Sequence, residues 1–77
     1  NNSRTISEII EDIEKIDRIK FLYQISGQYP ILGMAKCLDR EEQITLLEEL
    51  KKIPGVEEII PQVVLQKAKE DFSLYIP

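Results

Sequence analysis

Seventy-seven residues with a formal charge of −4, 43% apolar and 31% charged, read as one small globular domain, neither disordered nor membrane-embedded. One cysteine and no histidine exclude an internal disulfide and nearly exclude a structural zinc site, so a domain this small is expected to gain stability from a partner. The acidic balance weighs against direct nucleic-acid binding, whose affinity comes mainly from Lys and Arg displacing counterions.

Thr5-Ile6-Ser7-Glu8 has the spacing of a capping box and predicts a helix start. Ile6, Ile9, Ile10, Ile13 and Ile16 then recur as one buried stripe, with Glu8, Glu11, Asp12, Glu14 and Lys15 on the other side. After Asp17-Arg18 the period changes to two, which predicts a strand over residues 19–26 with Phe21, Tyr23 and Ile25 on one face and Leu22, Gln24 and Ser26 on the other. Gly27-Gln28-Tyr29-Pro30 is turn chemistry, and the short link to a second strand over 31–38 makes an antiparallel hairpin.

Asp39 is placed as an N-cap with Glu42 at the reciprocal position, and Ile44, Leu47 and Leu50, flanked by Leu46 and Ile53, mark a second helix. Acidic residues open it, Lys51-Lys52 close it as the macrodipole prefers, and Pro54-Gly55 stops it. Residues 57–68 are expected to be a long strand with Ile60 and Val64 on one face and Val63 and Leu65 on the other. Pro61 removes one ladder donor, which places this strand at an edge or gives it an irregularity.

The strands expected at 31–38 and 59–65 are apolar on both faces, whereas two short helices cover only one side of a small sheet. The uncovered side, carrying Leu32, Met34, Ile60 and Val64, is therefore expected to be a homo-oligomer interface, at least a dimer. The longest apolar run, residues 31–35, is far short of the roughly 20 residues that span a bilayer, and one unpaired Cys37 matches a reducing cytoplasm.

Ser26-Gly27-Gln28-Tyr29 at a hairpin tip, Ile53-Pro54-Gly55-Val56-Glu57, Val63-Val64-Leu65 and Lys69-Glu70-Asp71 occur in an order that resembles the effector-binding (RAM) domain of the Lrp/AsnC regulators. Ile16-Asp17-Arg18-Ile19-Lys20 running into Phe21-Leu22-Tyr23 adds to the likeness, which covers nearly the whole chain and is nearest to archaeal members. The resemblance implies an α+β, ferredoxin-like β-α-β-β-α-β sheet with two helices on one face. Residues 1–77 would form one such domain, with 72–77 as a C-terminal tail. It further implies dimerisation through the sheets, small effectors at subunit interfaces, and DNA binding through a helix-turn-helix that is not in this chain.

The chain opens on a helix, so the family's first strand is missing from this reading. That strand belongs between the strands expected at 31–38 and 59–65, which would otherwise stand about 10 Å apart with unpaired backbone on both sides. Three sources are open: residues upstream, a strand from a neighbouring chain, or residues 72–76 turning back through 67–71.

In the family the hairpin tip commonly reads Gly-x-Tyr-Asp and helps to hold an amino-acid effector. The corresponding effector residues here are Gly27, Gln28, Tyr29 and Pro30, together with Ile59 and Pro61, where many members carry small hydroxylated residues. Pro30 deletes a carboxylate and a donor, so a zwitterion's charged ends would lose partners here. The alternative reading of 27–30 is a plain turn at an oligomer interface.

Cys37 has no histidine to activate it and reads as packing, while Glu41-Glu42 and Glu48-Glu49 read as the polar face of a helix. Tyr23, Tyr29 and Tyr75 are too dispersed for a base-stacking platform. No catalytic residue, metal ligand or cofactor is expected. Two functional readings follow: the oligomerisation and effector-binding domain of an Lrp/AsnC-type regulator without its DNA-binding half, or a stand-alone interaction protein of the same fold that associates with full-length regulators or another partner.

Overall fold

A computed structural model describes residues 4–65, which form α1 (Ile6–Glu14), β1 (Ile19–Gln24), β2 (Ile31–Ala35) and α2 (Arg40–Lys51). These elements give the α+β class expected from the sequence. The capping box closes: Thr5 Oγ1 accepts from Glu8 N at 3.1 Å and the Glu8 carboxylate accepts from Thr5 N at 2.9 Å. Ile9 and Ile13 are buried, with Ile6, Ile10 and Ile16 half-buried around them, so the isoleucine stripe faces inward. Arg4 ties this helix to the turn that follows α2, pairing with Asp12 at 2.8 Å and donating to the Pro54 carbonyl at 2.9 Å.

β1 and β2 pair antiparallel, and α1 packs on β1. Phe21 faces Met34, Leu22 faces Gly33, Tyr23 faces Leu32 and Gln24 faces Ile31. Ile19 pairs with Ala35, so two steps along β1 match one along β2 and Lys20 is the extra residue of a bulge. The bulge resets the alternation. It puts Ile19 on the same side as Leu22, and these are the two half-buried positions of β1. Lys20 itself points its ammonium back to the Asp17 carbonyl at 2.8 Å.

Asp39 caps α2 as expected, its carboxylate accepting from Glu42 N at 2.9 Å. The reciprocal half differs: Glu42 Oε1 accepts from Leu38 N at 2.8 Å, one residue before the cap. With Asp39 fully extended at φ −154°, the preceding amide is the one satisfied. The buried stripe of α2 is also rotated from expectation. Leu46 is its buried residue at 7% exposure, with Gln43, Leu47, Leu50 and Ile53 half-buried around it, while Ile44 is 48% exposed. Two residues of helix are about 200° of rotation, so Leu46 inward sends Ile44 outward.

Residues 56–65 run without helix or hydrogen-bonded ladder, so the strand expected at 57–68 is not formed over its described part. A strand is defined by its neighbour. Among the described residues the sheet has only β1 and β2, and no segment lies on the free edge of β2 to present a ladder to 59–65. Both alternating sets stay in solvent, with Ile60, Val63, Val64 and Leu65 all exposed. The expected end of that strand at Ala68, Lys69-Glu70-Asp71 and the 72–77 tail lie outside the described residues. The two described strands are also shorter than expected, ending at Gln24 and Ala35.

Candidate effector and assembly site

The hairpin tip is closed by the Ile25 N–H donating to the Pro30 carbonyl at 2.7 Å. Gly27 takes φ 112°, a conformation that side chains disfavour, which lets the chain reverse here. The tip does not stand alone. Desolvation first, then the nearby Glu58 carboxylate, push the Tyr29 phenol above its usual titration range. The structure thus brings the tip to the segment that carries Ile59, which is half-buried, and Pro61, which is exposed. Glu58 is the residue that sequence reasoning missed. Nothing local distinguishes it from Glu57; only its tertiary neighbour does.

Two open concavities lie elsewhere, one formed by Lys15, Ile16, Asp17, Arg18 and Glu49 and the other by Glu14, Ile19, Lys20, Phe21 and Leu22. The first borders an ion-pair group that fastens the hairpin's base to α2. Arg18 Nε lies 3.4 Å from Glu42 Oε1 and its Nη1 lies 4.0 Å from Glu49 Oε1. The Leu38 backbone N–H, and after it the Arg18 guanidinium, hold the Glu42 carboxyl below its usual range. Glu42 and Glu49 therefore join secondary-structure elements and are more than a solvated face. Cys37 is half-buried close by. Among the described residues no three His, Cys, Asp or Glu side chains are grouped to hold a metal.

The outer face of the hairpin is open. Phe21 and Tyr23 lie parallel with ring centroids 6.5 Å apart, and the cross-strand register sets Met34 and Leu32 beside them. All four are more than a third exposed, Tyr23 and Leu32 about half. Leu32 and Met34, expected from the sequence at an interface, lie on this exposed face, and Phe21 and Tyr23 extend the same apolar surface. Ile60 and Val64 are exposed too, but on a segment outside the sheet.

Comparison with known proteins identifies this architecture. The model of the Lrp/AsnC ligand binding domain matches residues 1–74. This chain belongs to that family. Similar curated proteins are uncharacterized HTH-type transcriptional regulators of Pyrococcus abyssi and Pyrococcus horikoshii, each 37% identical over 71 residues, and one of Pyrococcus furiosus at 31%. Each alignment covers 92% of this chain and 48% of the relative, so the Lrp/AsnC chain described here spans about half the length of the curated relatives it matches. No solved structure matches it. The archaeal relatives agree with the likeness read from the sequence. No helix among the described residues is long and apolar enough to cross a membrane.

Proposed function

We propose that residues 1–77 form the assembly and effector-binding domain of a cytoplasmic Lrp/AsnC-type transcription regulator, which reaches DNA only through residues outside this chain. The observation that carries this reading is the open hairpin face of Phe21, Tyr23, Leu32 and Met34. A contiguous aromatic and aliphatic surface is costly to leave in water and, repeated on a second copy, makes a self-complementary interface. Family membership and the HTH-type relatives support the regulatory role. The net charge of −4 supports leaving DNA contact to another segment. No catalytic role is assigned, because no nucleophile is paired with a base among the described residues.

The effector region in this reading comprises Gly27, Gln28, Tyr29, Pro30, Ile59 and Pro61, with Glu58 added because its charge acts on the Tyr29 phenol. Glu58 supplies a carboxylate close to where Pro30 removes one. The test of assembly is sedimentation velocity at micromolar concentration: the wild-type chain runs as a dimer or larger, and Leu32→Lys shifts it toward monomer with its helical circular dichroism intact. A monomeric wild type would refute the assembly reading. The effector reading is tested by thermal shift and calorimetry against the twenty amino acids and related small metabolites. Stabilisation that Tyr29→Phe weakens supports it, and no heat from any of them removes it.

A further inference from the structure

Arg4 joins two places that lie 50 positions apart in the chain. Its Nη1 lies 2.8 Å from Asp12 Oδ2 and donates to the Pro54 carbonyl at 2.9 Å, while its Nη2 donates to the Glu8 carbonyl at 3.2 Å. Glu8 and Asp12 are one turn apart on α1, so a planar guanidinium laid along that face is oriented by both and still has a donor for the neighbouring turn. Pro54 sits in the turn that follows α2, where Val56 N donates to the Ile53 carbonyl at 3.1 Å and Gly55 takes φ 99°. Residues 56–65 leave from that turn without a ladder of their own. One side chain is thus bonded both to the start of α1 and to the point where this segment departs.

We propose that Arg4 is a clasp that couples the entry into α1 to the departure of residues 56–65, so that a displacement of one is transmitted to the other. The capping box fixes Thr5 against Glu8, and Arg4, the residue before it, carries that fixed geometry across to Pro54. With the clasp made, the start of α1 and the 53–56 turn open as one unit. With it broken, each opens on its own. Arg4 is then a positioning residue, acting on the later segment through the turn that carries Pro54. The clasp needs no ligand, so it stands or falls apart from the effector reading. Where that reading is added, Ile59 and Pro61 lie on the departing segment, and their position becomes tied to the start of the first helix.

Amide hydrogen exchange on the full 77-residue chain tests the clasp. The Val56 amide, bonded to the Ile53 carbonyl, reports the turn, and the Lys36 amide, bonded to the Arg18 carbonyl, is a control at the base of the hairpin. Arg4→Met keeps an apolar stem and removes the guanidinium. It should speed exchange at Val56 by about threefold or more, the loss of one modest hydrogen bond, while Lys36 keeps its rate. Coupling is read from Thr5→Ala, which removes the cap at the other end of the clasp. That change should also speed exchange at Val56 when Arg4 is present, and should leave it unaltered in the Arg4→Met background. Unchanged exchange at Val56 in either single variant would overturn the proposal. So would equal acceleration at Lys36, which marks general loosening, or a Thr5→Ala effect at Val56 that is the same size with and without Arg4.

Discussion

Replacing Leu46 and Ile44 by alanine, one at a time, tests the packing of α2 most directly. Each change removes three side-chain carbons, and full burial of those carbons is worth about 2.4 kcal/mol at roughly 0.8 kcal/mol each. Leu46 is 7% exposed and Ile44 48%. Leu46→Ala should therefore cost about 2 to 3 kcal/mol, with the vacated space adding to the transfer loss. Ile44→Ala should cost about 1 kcal/mol or less, because half the side chain is already wet and alanine is the better helix former. In a 77-residue domain with total stability on the order of 4 to 12 kcal/mol, the larger loss is a substantial share. It should lower the melting temperature by roughly 10 to 20 °C. Urea unfolding at one fixed protein concentration measures both, since any self-association adds to apparent stability. Equal losses, or a greater loss at Ile44, would show that the helix is rotated from the orientation described.

Glu42 makes stability depend on pH. Its folded value lies below the usual 4.5, so its contribution is fully present above that ordinary range and is lost as pH falls through the lowered folded value. Glu42→Gln should flatten the decline of the urea midpoint across that acidic window, and an undiminished slope would remove Glu42 as its source. The two described glycines of the hairpin should respond oppositely to alanine. Gly27→Ala meets open space but strains a φ of 112°, and should destabilise by about 1 kcal/mol. Gly33→Ala brings a Cβ to 3.4 Å from Leu22 Cδ1 without that strain, and should be neutral or stabilising by up to about 1 kcal/mol in thermal melts.

Features with local causes were legible in the sequence. The capping box at Thr5 and Glu8, the isoleucine stripe and the Asp39 cap each depend on residues within one or two helical turns, and all three appear where the spacing put them. The hairpin was legible because its turn residues and its change of period lie side by side. Phasing was harder in α2, where Leu46 and Leu47 are adjacent and either can centre an apolar stripe. Only packing against the rest of the fold decides between them. The 57–65 segment carries strand chemistry, yet a ladder is a property of two segments and cannot be read from one. Glu58 and Arg18 were invisible for a related reason: each is an ordinary surface charge until the fold brings Tyr29 or Glu42 to it.

Lys20, the bulge residue of β1, bears on how sequences of this fold are to be aligned. Deleting it would restore strict two-residue alternation and leave Ile19 on the side of Leu22, so its loss changes length without changing facing. A relative one residue shorter between its first helix and its hairpin is then expected to have lost the bulge, with its inward-facing apolar residues unmoved. The gap in such an alignment belongs at position 20. Placing it in the turn at 27–30 would pair inward residues with outward ones along all of β1.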